Sequence, residues 1–172
     1  MIQLKQRRRV AVGEFVTLLF ENRLTIRFQI QEMARIEKLI SDDAIETELR
    51  TYNPLIPEPG QLCATLFIEL TSKDALMEWL PELVDIERTV GLGLSDGEVV
   101  GAVVDEDHAR QLTRDEITAS VHYVRWELSP AQIERFMAGP VTLVIDHPVY
   151  PHETALGDET LVELRHDLRR GG

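Results

Sequence analysis

The sequence predicts an α+β fold: a mostly antiparallel sheet of about five strands, with a long N-terminal helix packed on it and a C-terminal helix. Apolar residues between Gly13 and Ile40 recur at intervals of three or four, which is the period of a helix face. Later runs alternate apolar and polar residues, as strands do, and Asp96-Gly97 is a hairpin signal. Together these features indicate a sheet built mainly from hairpins, with helices packed against it.

Length and composition suit one soluble domain. The chain has 172 residues, enough for a real hydrophobic core, so we expect a single globular domain over 1–172 with a basic N-terminal arm at 1–9. The one cysteine, Cys63, allows no intrachain disulfide, which fits a reducing cytosol. Neither a signal peptide nor an apolar run of membrane-spanning length occurs in the sequence. We therefore predict a cytoplasmic protein without a membrane span.

The charge distribution argues against a nucleic-acid partner. The formal net charge is −12, and an acidic body repels phosphate backbones. The arm at 1–9 is the exception, because it carries Lys5, Arg7, Arg8 and Arg9 and no acidic residue. Such an arm can contact an acidic partner, a membrane surface or the acidic body of the same chain. We favour the last of these.

The predicted long helix, Gly13 to Ile40, contains a set of polar residues that are candidate ligand contacts. Arg23, Arg27 and Gln31 are spaced four apart and share a stripe. An anion between the two arginines would relieve their repulsion, so the stripe suggests a clamp for a carboxylate or phosphate. The alternative is internal ion pairing with acidic residues elsewhere. Glu21 and Glu32 project to the same side but lie roughly 16 Å apart along the axis, too far to share one metal ion.

The rest of the chain alternates between short helices and strands. Capping residues, apolar periodicity and Pro or Gly stops predict helices at 41–51, 72–80, 129–137 and 158–170. Alternating or uniformly apolar runs predict strands at 62–70, 84–94, 98–104, 117–128 and 141–147. Within the strand at 62–70, Cys63 is expected to be a small packing residue, since no local motif supplies a base to activate it.

Three residues form a candidate metal site: His122, within the predicted strand at 117–128, and Asp146 and His147, at the end of the predicted strand at 141–147. Imidazole and carboxylate together suit iron, zinc or manganese, with Glu21 or Asp105 as a further acid. The acidic cluster at 105–108 is a second candidate cation site. For His122, which shares a strand face with Trp126, a hydrogen-bonded core histidine is the alternative. For the 105–108 cluster, the alternative is a solvated turn.

Five segments resemble one known family when taken in order along the chain. They are TLLFENRLTIRFQIQEMARIE (17–37), TYNPLIP (51–57), LCATLFIEL (62–70), SVHYVRWEL (120–128) and IDHPVY (145–150). The sequence resembles the uncharacterised bacterial family called domain of unknown function 3501 over nearly its whole length. The resemblance implies a cytosolic protein with no established activity. Family members are often encoded beside rubrerythrin-like and iron–sulfur oxidoreductase proteins. This gene neighbourhood implies an accessory role in redox or peroxide defence. No catalytic residue or cofactor is implied.

These observations leave three functional hypotheses. The first is an accessory or binding module of a redox system, with a redox protein as partner and with Arg23 and Arg27 holding an anion. The second is a metal-dependent enzyme of unknown reaction that uses His122, Asp146 and His147. The third is that the polar groups form buried ion pairs in a homo-oligomer, most simply a dimer that covers a sheet edge. We rank the accessory module first, the buried ion pairs of a homo-oligomer close behind it, and the metal-dependent enzyme third.

Overall fold

The chain forms two four-stranded antiparallel sheets that share one hydrophobic core, in a computed structural model that describes residues 1–106 and 118–172. The strands are β1 (Arg9–Val12), β2 (Val16–Phe20), β3 (Gln61–Ile68), β4 (Val90–Gly93), β5 (Val99–Gly101), β6 (Val121–Glu127), β7 (Thr142–His147) and β8 (Tyr150–Ala155). The first sheet has the order β1-β2-β3-β6, and the second has the order β5-β4-β7-β8. The predicted α+β class and antiparallel pairing are confirmed, but a single sheet of about five strands is wrong.

Six α-helices lie within the described residues. They are α1 (Ile2–Arg8), α2 (Arg23–Ile36), α3 (Asp42–Tyr52), α4 (Lys73–Glu82), α5 (Pro130–Ala138) and α6 (Asp158–Arg170). Serine side chains cap α3, α4 and α5 at Ser41, Ser72 and Ser129, as their sequence positions predicted. Two short 3₁₀ helices, Asn53–Leu55 and Ile86–Thr89, complete the described elements. The predicted C-terminal helix at 158–170 is confirmed.

The predicted long helix from Gly13 to Ile40 is wrong in its first half. Its first apolar run, Val16–Phe20, is strand β2, and all five of its residues are buried between β1 and β3. A run that is apolar on every side suits a central strand covered on both faces as well as it suits a buried helix. The helix begins only after Asn22, whose side chain forms a capping box with Thr25, so α2 spans 14 residues.

The turn between β1 and β2 is fixed by the second sheet. Gly13 adopts a positive φ of 72°, and a Cβ at this position would collide with the ring and hydroxyl of Tyr150. The same hydroxyl donates a hydrogen bond of 2.7 Å to the carbonyl of Val12 and accepts one from the backbone N–H of Val16. Tyr150 therefore ties the hairpin of the first sheet to β8 of the second.

Two local features explain why the second sheet was not predicted as a separate unit. Strand β8 begins Tyr150-Pro151-His152, and an early proline with exposed polar neighbours lacks the pattern of a half-buried strand. The predicted strand at 84–94 is interrupted because Asp85 adopts a left-handed φ of 67°, and the 3₁₀ helix Ile86–Thr89 follows it. Only the short β4 remains to pair with β7.

The basic N-terminal segment contacts the body of the protein through Arg8, whose side chain is fully buried. Its guanidinium pairs with Asp167 and with Glu163, at 3.1 Å, on α6. It also donates to the backbone carbonyls of Phe20, at 3.0 Å, and Glu21, at 3.4 Å. One side chain therefore joins α1, the end of β2 and the C-terminal helix.

Replacing Arg8 by Met is expected to lower the free energy of unfolding by about 3–5 kcal/mol, because two carboxylates then lose their buried counter-charge. Arg9→Met is the matched control, since Arg9 pairs with Glu69 at 3.1 Å where both side chains are 47% exposed, and should cost below about 1 kcal/mol. Urea denaturation at pH 7 measures both values. Equal costs for the two variants would contradict the role assigned to Arg8.

Asp167 is expected to make the stability depend on pH. Burial raises the pKa of Asp167 from 3.8 to about 6, although Arg8 opposes the shift. Because the folded-state pKa lies above the unfolded one, the stabilisation linked to this proton is complete below about pH 4 and is lost as pH rises through about 6. Urea denaturation from pH 4 to pH 7 should show that the advantage of the wild type over Asp167→Asn shrinks across this window. A difference that is constant with pH would contradict the raised pKa.

Candidate functional site

Glu21 is a buried carboxylate placed where β2 ends and α2 is about to begin. Its backbone N–H extends the sheet by donating to the carbonyl of Cys63 at 2.8 Å. One carboxylate oxygen accepts a hydrogen bond of 2.6 Å from the hydroxyl of Thr65 on β3, and the other accepts a short one from the hydroxyl of Thr25 on α2. Two threonines from different elements therefore fix the orientation of the carboxylate.

A cavity of about 290 Å³ opens next to this carboxylate, and we call it the Glu21 cavity. The inner face of α2 forms one wall and the outer face of the first sheet forms another. The start of the chain and the end of α3 contribute further residues. Its polar lining consists of Lys5, Arg9, Glu21, Thr25, Gln29, Tyr52, Thr65 and Tyr123, and its apolar lining of Leu19, Ile26, Leu55, Phe67 and Val121. A volume near 300 Å³ is at the lower end of small-molecule sites.

The charge of Glu21 has no ionic partner among the described residues. Arg8 approaches the backbone carbonyl of Glu21 but forms its ion pairs with α6. The two cations in the cavity lining are engaged elsewhere. The ammonium of Lys5 lies 4.5 Å from the ring centre of Phe28, and Arg9 pairs with Glu69. The cavity thus contains a fixed negative charge that the described part of the chain leaves without a cation.

Two phenols, Tyr52 and Tyr123, lie beside this charge, and Tyr123 remains protonated at neutral pH. Burial raises the pKa of Tyr123 to about 12, and the neighbouring Tyr52 and Glu21 add to the effect. A protonated phenol both donates and accepts hydrogen bonds, and its ring offers a face to a cation. The arrangement can therefore hold a polar, positively charged group against an apolar wall.

Comparison with known proteins places the chain in a family. The family model described as "Protein of unknown function (DUF3501)" matches residues 1–168. The chain belongs to the DUF3501 family. The crystal structure of a protein from Burkholderia pseudomallei K96243, titled a novel protein of unknown function and determined at 1.90 Å resolution, is 40% identical and has a TM-score of 0.87; the match covers 97% of this chain and 86% of that chain. A search of curated proteins finds no significant match.

Among the predicted ligand-binding residues of this DUF3501 protein, Glu21 is the one that lines the Glu21 cavity. Arg23, Arg27 and Gln31 lie exposed on α2. Arg23 borders a different cavity, of about 400 Å³, together with Arg170. Glu32 is half-buried and pairs with Arg35 at 2.9 Å. The expected stripe therefore exists on the helix surface, while Glu21 is separated from it because it precedes the helix.

The three predicted metal ligands lie on different sheets. His122 is on β6 in the first sheet, whereas Asp146 and His147 are on β7 in the second. The ring nitrogen Nε2 of His147 is 3.0 Å from the carbonyl of Val84, and Asp146 is exposed. Within residues 1–106 and 118–172, no group of three or more His, Cys, Asp or Glu side chains is arranged to hold a metal ion.

His122 has the surroundings expected of a core histidine. Its Nε2 lies 2.8 Å from both the hydroxyl of Thr118 and the carbonyl of Ala119. Its Nδ1 is 3.8 Å from the buried carboxylate of Glu87. Of the predicted acidic cluster at 105–108, Glu106 pairs with Arg88 at 2.7 Å, and residues 107 and 108 lie outside the described residues.

The threonines and tyrosines of the cavity were not among the predicted site residues. Thr65 and Tyr123 are direct partners in the ladder between β3 and β6, and Thr65 also faces Leu19 of β2. Strand alternation already placed Thr65 on the less apolar face of β3, with Cys63 and Phe67. A polar residue in a central strand was therefore the sequence feature that could have indicated this part of the site.

No helix in the described part of the chain is both long and apolar enough to cross a membrane. The cytoplasmic location stays a prediction.

The thiol of Cys63 is expected to be unreactive in the native protein. It is buried in β3, and desolvation raises its pKa to about 12, with Arg125 opposing the shift. At pH 8 the thiolate fraction should be about a thousandfold below that of an ordinary cysteine. Titration with Ellman's reagent should give slow reaction in buffer and complete reaction in urea. Rapid reaction of the folded protein would contradict the inert packing role.

Proposed function

We propose that this DUF3501 protein is a binding module that holds a small organic cation in the Glu21 cavity. The observation that supports the proposal is the buried carboxylate of Glu21, oriented by two threonine hydroxyls and left without a cationic partner by the described residues. A buried charge is costly unless it is paired, so a ligand ammonium or guanidinium group would be stabilised there.

The hydrogen bonds around Glu21 leave room for a cationic ligand. The hydroxyls of Thr25 and Thr65 each donate to one carboxylate oxygen. Each carboxylate oxygen retains further acceptor capacity towards the cavity. A ligand N–H group that completes this set forms charge-assisted hydrogen bonds, each contributing about 1.5–3 kcal/mol. The rings of Tyr52 and Tyr123 add faces that attract a cation.

The positive charges at the outer part of the cavity, opposite in sign to Glu21, suggest a second recognition element. Arg9 is exposed and Lys5 is half-buried, whereas Glu21 is buried, so the cavity runs from a cationic outer part to an anionic inner part. A zwitterion with an ammonium group inside and a carboxylate outside would match both ends. Leu19, Ile26, Leu55, Phe67 and Val121 would contact an apolar body between them.

The redox-accessory role implied by the family resemblance is a more specific proposal than the binding module alone. A module that binds a small amine without a catalytic set suits an accessory of an oxidoreductase better than a redox enzyme. The metal-dependent alternative is weaker, because its three proposed ligands are divided between two sheets. We therefore retain the binding module and rank the enzyme below it.

Three probes of one shape and different charge test the proposed function: 2-phenylethylamine, 2-phenylethanol and 3-phenylpropionate. Isothermal titration calorimetry at pH 7 should show that the amine binds at least about tenfold more tightly than the other two, the change expected for a charge-assisted hydrogen bond. Glu21→Gln should remove this preference because the amide carries no charge. Glu32→Gln, which alters an acid paired with Arg35 on the same helix, is the matched control and should keep it.

Three results would contradict the proposal. The first is tightest binding of 3-phenylpropionate, which would make Lys5 and Arg9 the recognition element. The second is an amine preference that survives in Glu21→Gln, which would place the binding site elsewhere. The third is failure of all three probes to bind. Circular dichroism of each variant confirms that the fold is kept.

A further inference from the structure

A second cavity, of about 400 Å³, lies between the start of α2, the proline-rich connector at 53–60 and the end of α6, and we call it the Arg23 cavity. Arg23 is the first residue of α2 and Arg170 is the last residue of α6, so two elements far apart in sequence each contribute one arginine. The Arg23 cavity shares no lining residue with the Glu21 cavity. Its volume lies within the range of small-molecule sites.

Backbone contacts fix the walls of the Arg23 cavity. The N–H of Gly172 donates to the carbonyl of Pro57 at 2.8 Å. A Cβ at Gly172 would lie 2.7 Å from the ring of Pro57 and 3.0 Å from the Cα of Asn22, which caps α2. The N–H of Gly60 donates to the carbonyl of Leu168 on α6 at 2.9 Å. The connector, the start of α2 and the residues after α6 are therefore packed together, and a preformed cavity lowers the entropic cost of binding.

The two arginines of this cavity carry charges that the described chain does not neutralise. Arg23 and Arg170 are exposed, and neither forms an ion pair with a carboxylate of the described residues. Among the described residues that line the cavity, Glu58 is the acidic side chain, and it is exposed and pairs with neither arginine. Two guanidinium groups are thus available to a ligand in one concave site.

We propose that the Arg23 cavity binds the phosphate group of a small organic phosphate monoester. Arginine presents a planar fork of N–H donors that matches an oxyanion, and two such forks favour a group with two negative charges. A phosphate monoester carries about −1.5 to −2 charges at pH 7. The side-chain amide of Asn53 offers a further donor, and Ile56 and Pro57 offer apolar contacts for the organic part of the ligand.

The carboxylate of Glu58 gives the site a property that exposed arginines alone would lack. A bound phosphate must lie near the two guanidinium groups and away from this carboxylate, because like charges repel. Removal of the charge of Glu58 is therefore expected to tighten phosphate binding. The proposal is independent of the cation site, since Glu21 lines a separate cavity and selects the opposite charge.

Phenyl phosphate, benzenesulfonate and inorganic phosphate test the site by isothermal titration calorimetry at pH 7.5. Phenyl phosphate should bind at least about tenfold more tightly than the singly charged benzenesulfonate, and more tightly than inorganic phosphate, which lacks the apolar ring. Arg23→Gln and Arg170→Gln should each weaken phenyl phosphate binding at least about tenfold, because each removes a charge-assisted fork. Glu58→Gln should strengthen it.

Arg27→Gln and Arg169→Gln are the matched controls. Each changes an exposed arginine on the same helix as its counterpart, unpaired within the described ranges and outside the lining of the cavity, and each should leave the affinity for phenyl phosphate within about twofold of the wild type. Saturating 2-phenylethylamine should not displace phenyl phosphate, because the two probes occupy different cavities. Circular dichroism of each variant confirms that the fold is kept.

Four results would overturn the proposal. The first is no binding of phenyl phosphate to the wild type. The second is binding that Arg23→Gln and Arg170→Gln both retain, which would place the site elsewhere. The third is an equal loss of affinity in the two control variants, which would indicate general attraction to a basic surface. The fourth is equally tight binding of inorganic phosphate, which would make the free ion, and not an ester, the ligand.

Discussion

The buried guanidinium of Arg8 is the constraint on which the rest of the structure depends. It lies where α1, the end of β2 and α6 converge, and it joins elements from the two ends of the sequence. Arginine suits this position because its planar group offers several donors in fixed directions and stays charged when buried. Two carboxylates on α6 supply the counter-charge, and the carbonyls of Phe20 and Glu21 accept the remaining hydrogen bonds.

The ion pairs of Arg8 also explain why the carboxylate of Glu21 has no cationic partner among the described residues. A guanidinium this close to Glu21 would normally neutralise its carboxylate, but here it contacts only the backbone carbonyl. Glu163 and Asp167 together already compensate Arg8. The side chain of Glu21 instead turns to Thr25 and Thr65 and faces the cavity. The structural ion pairs and the proposed recognition charge are therefore adjacent but chemically separate.

The fold class and most element positions follow from the sequence, whereas the two-sheet topology and the cavity do not. Helix caps such as Ser129 and the alternation along β6 depend on neighbours in sequence, so local patterns predict them. The run Val16–Phe20 is different, because a fully buried strand and a fully buried helix have the same composition. Only the partners on both sides decide between them, and those partners are distant in the chain.

Dependence on residues that are distant in the chain also limits what the sequence predicts about the site. Glu21 stood out because a charge in an apolar stretch is conspicuous, but its hydrogen-bond donor Thr65 is 44 positions away and became visible only through the pairing of β2 with β3. The arginines of α2 were grouped with Glu21 on the assumption of one continuous helix. Since the helix starts after Asn22, Glu21 lies in the strand-to-helix connection and the arginines project to the outer face.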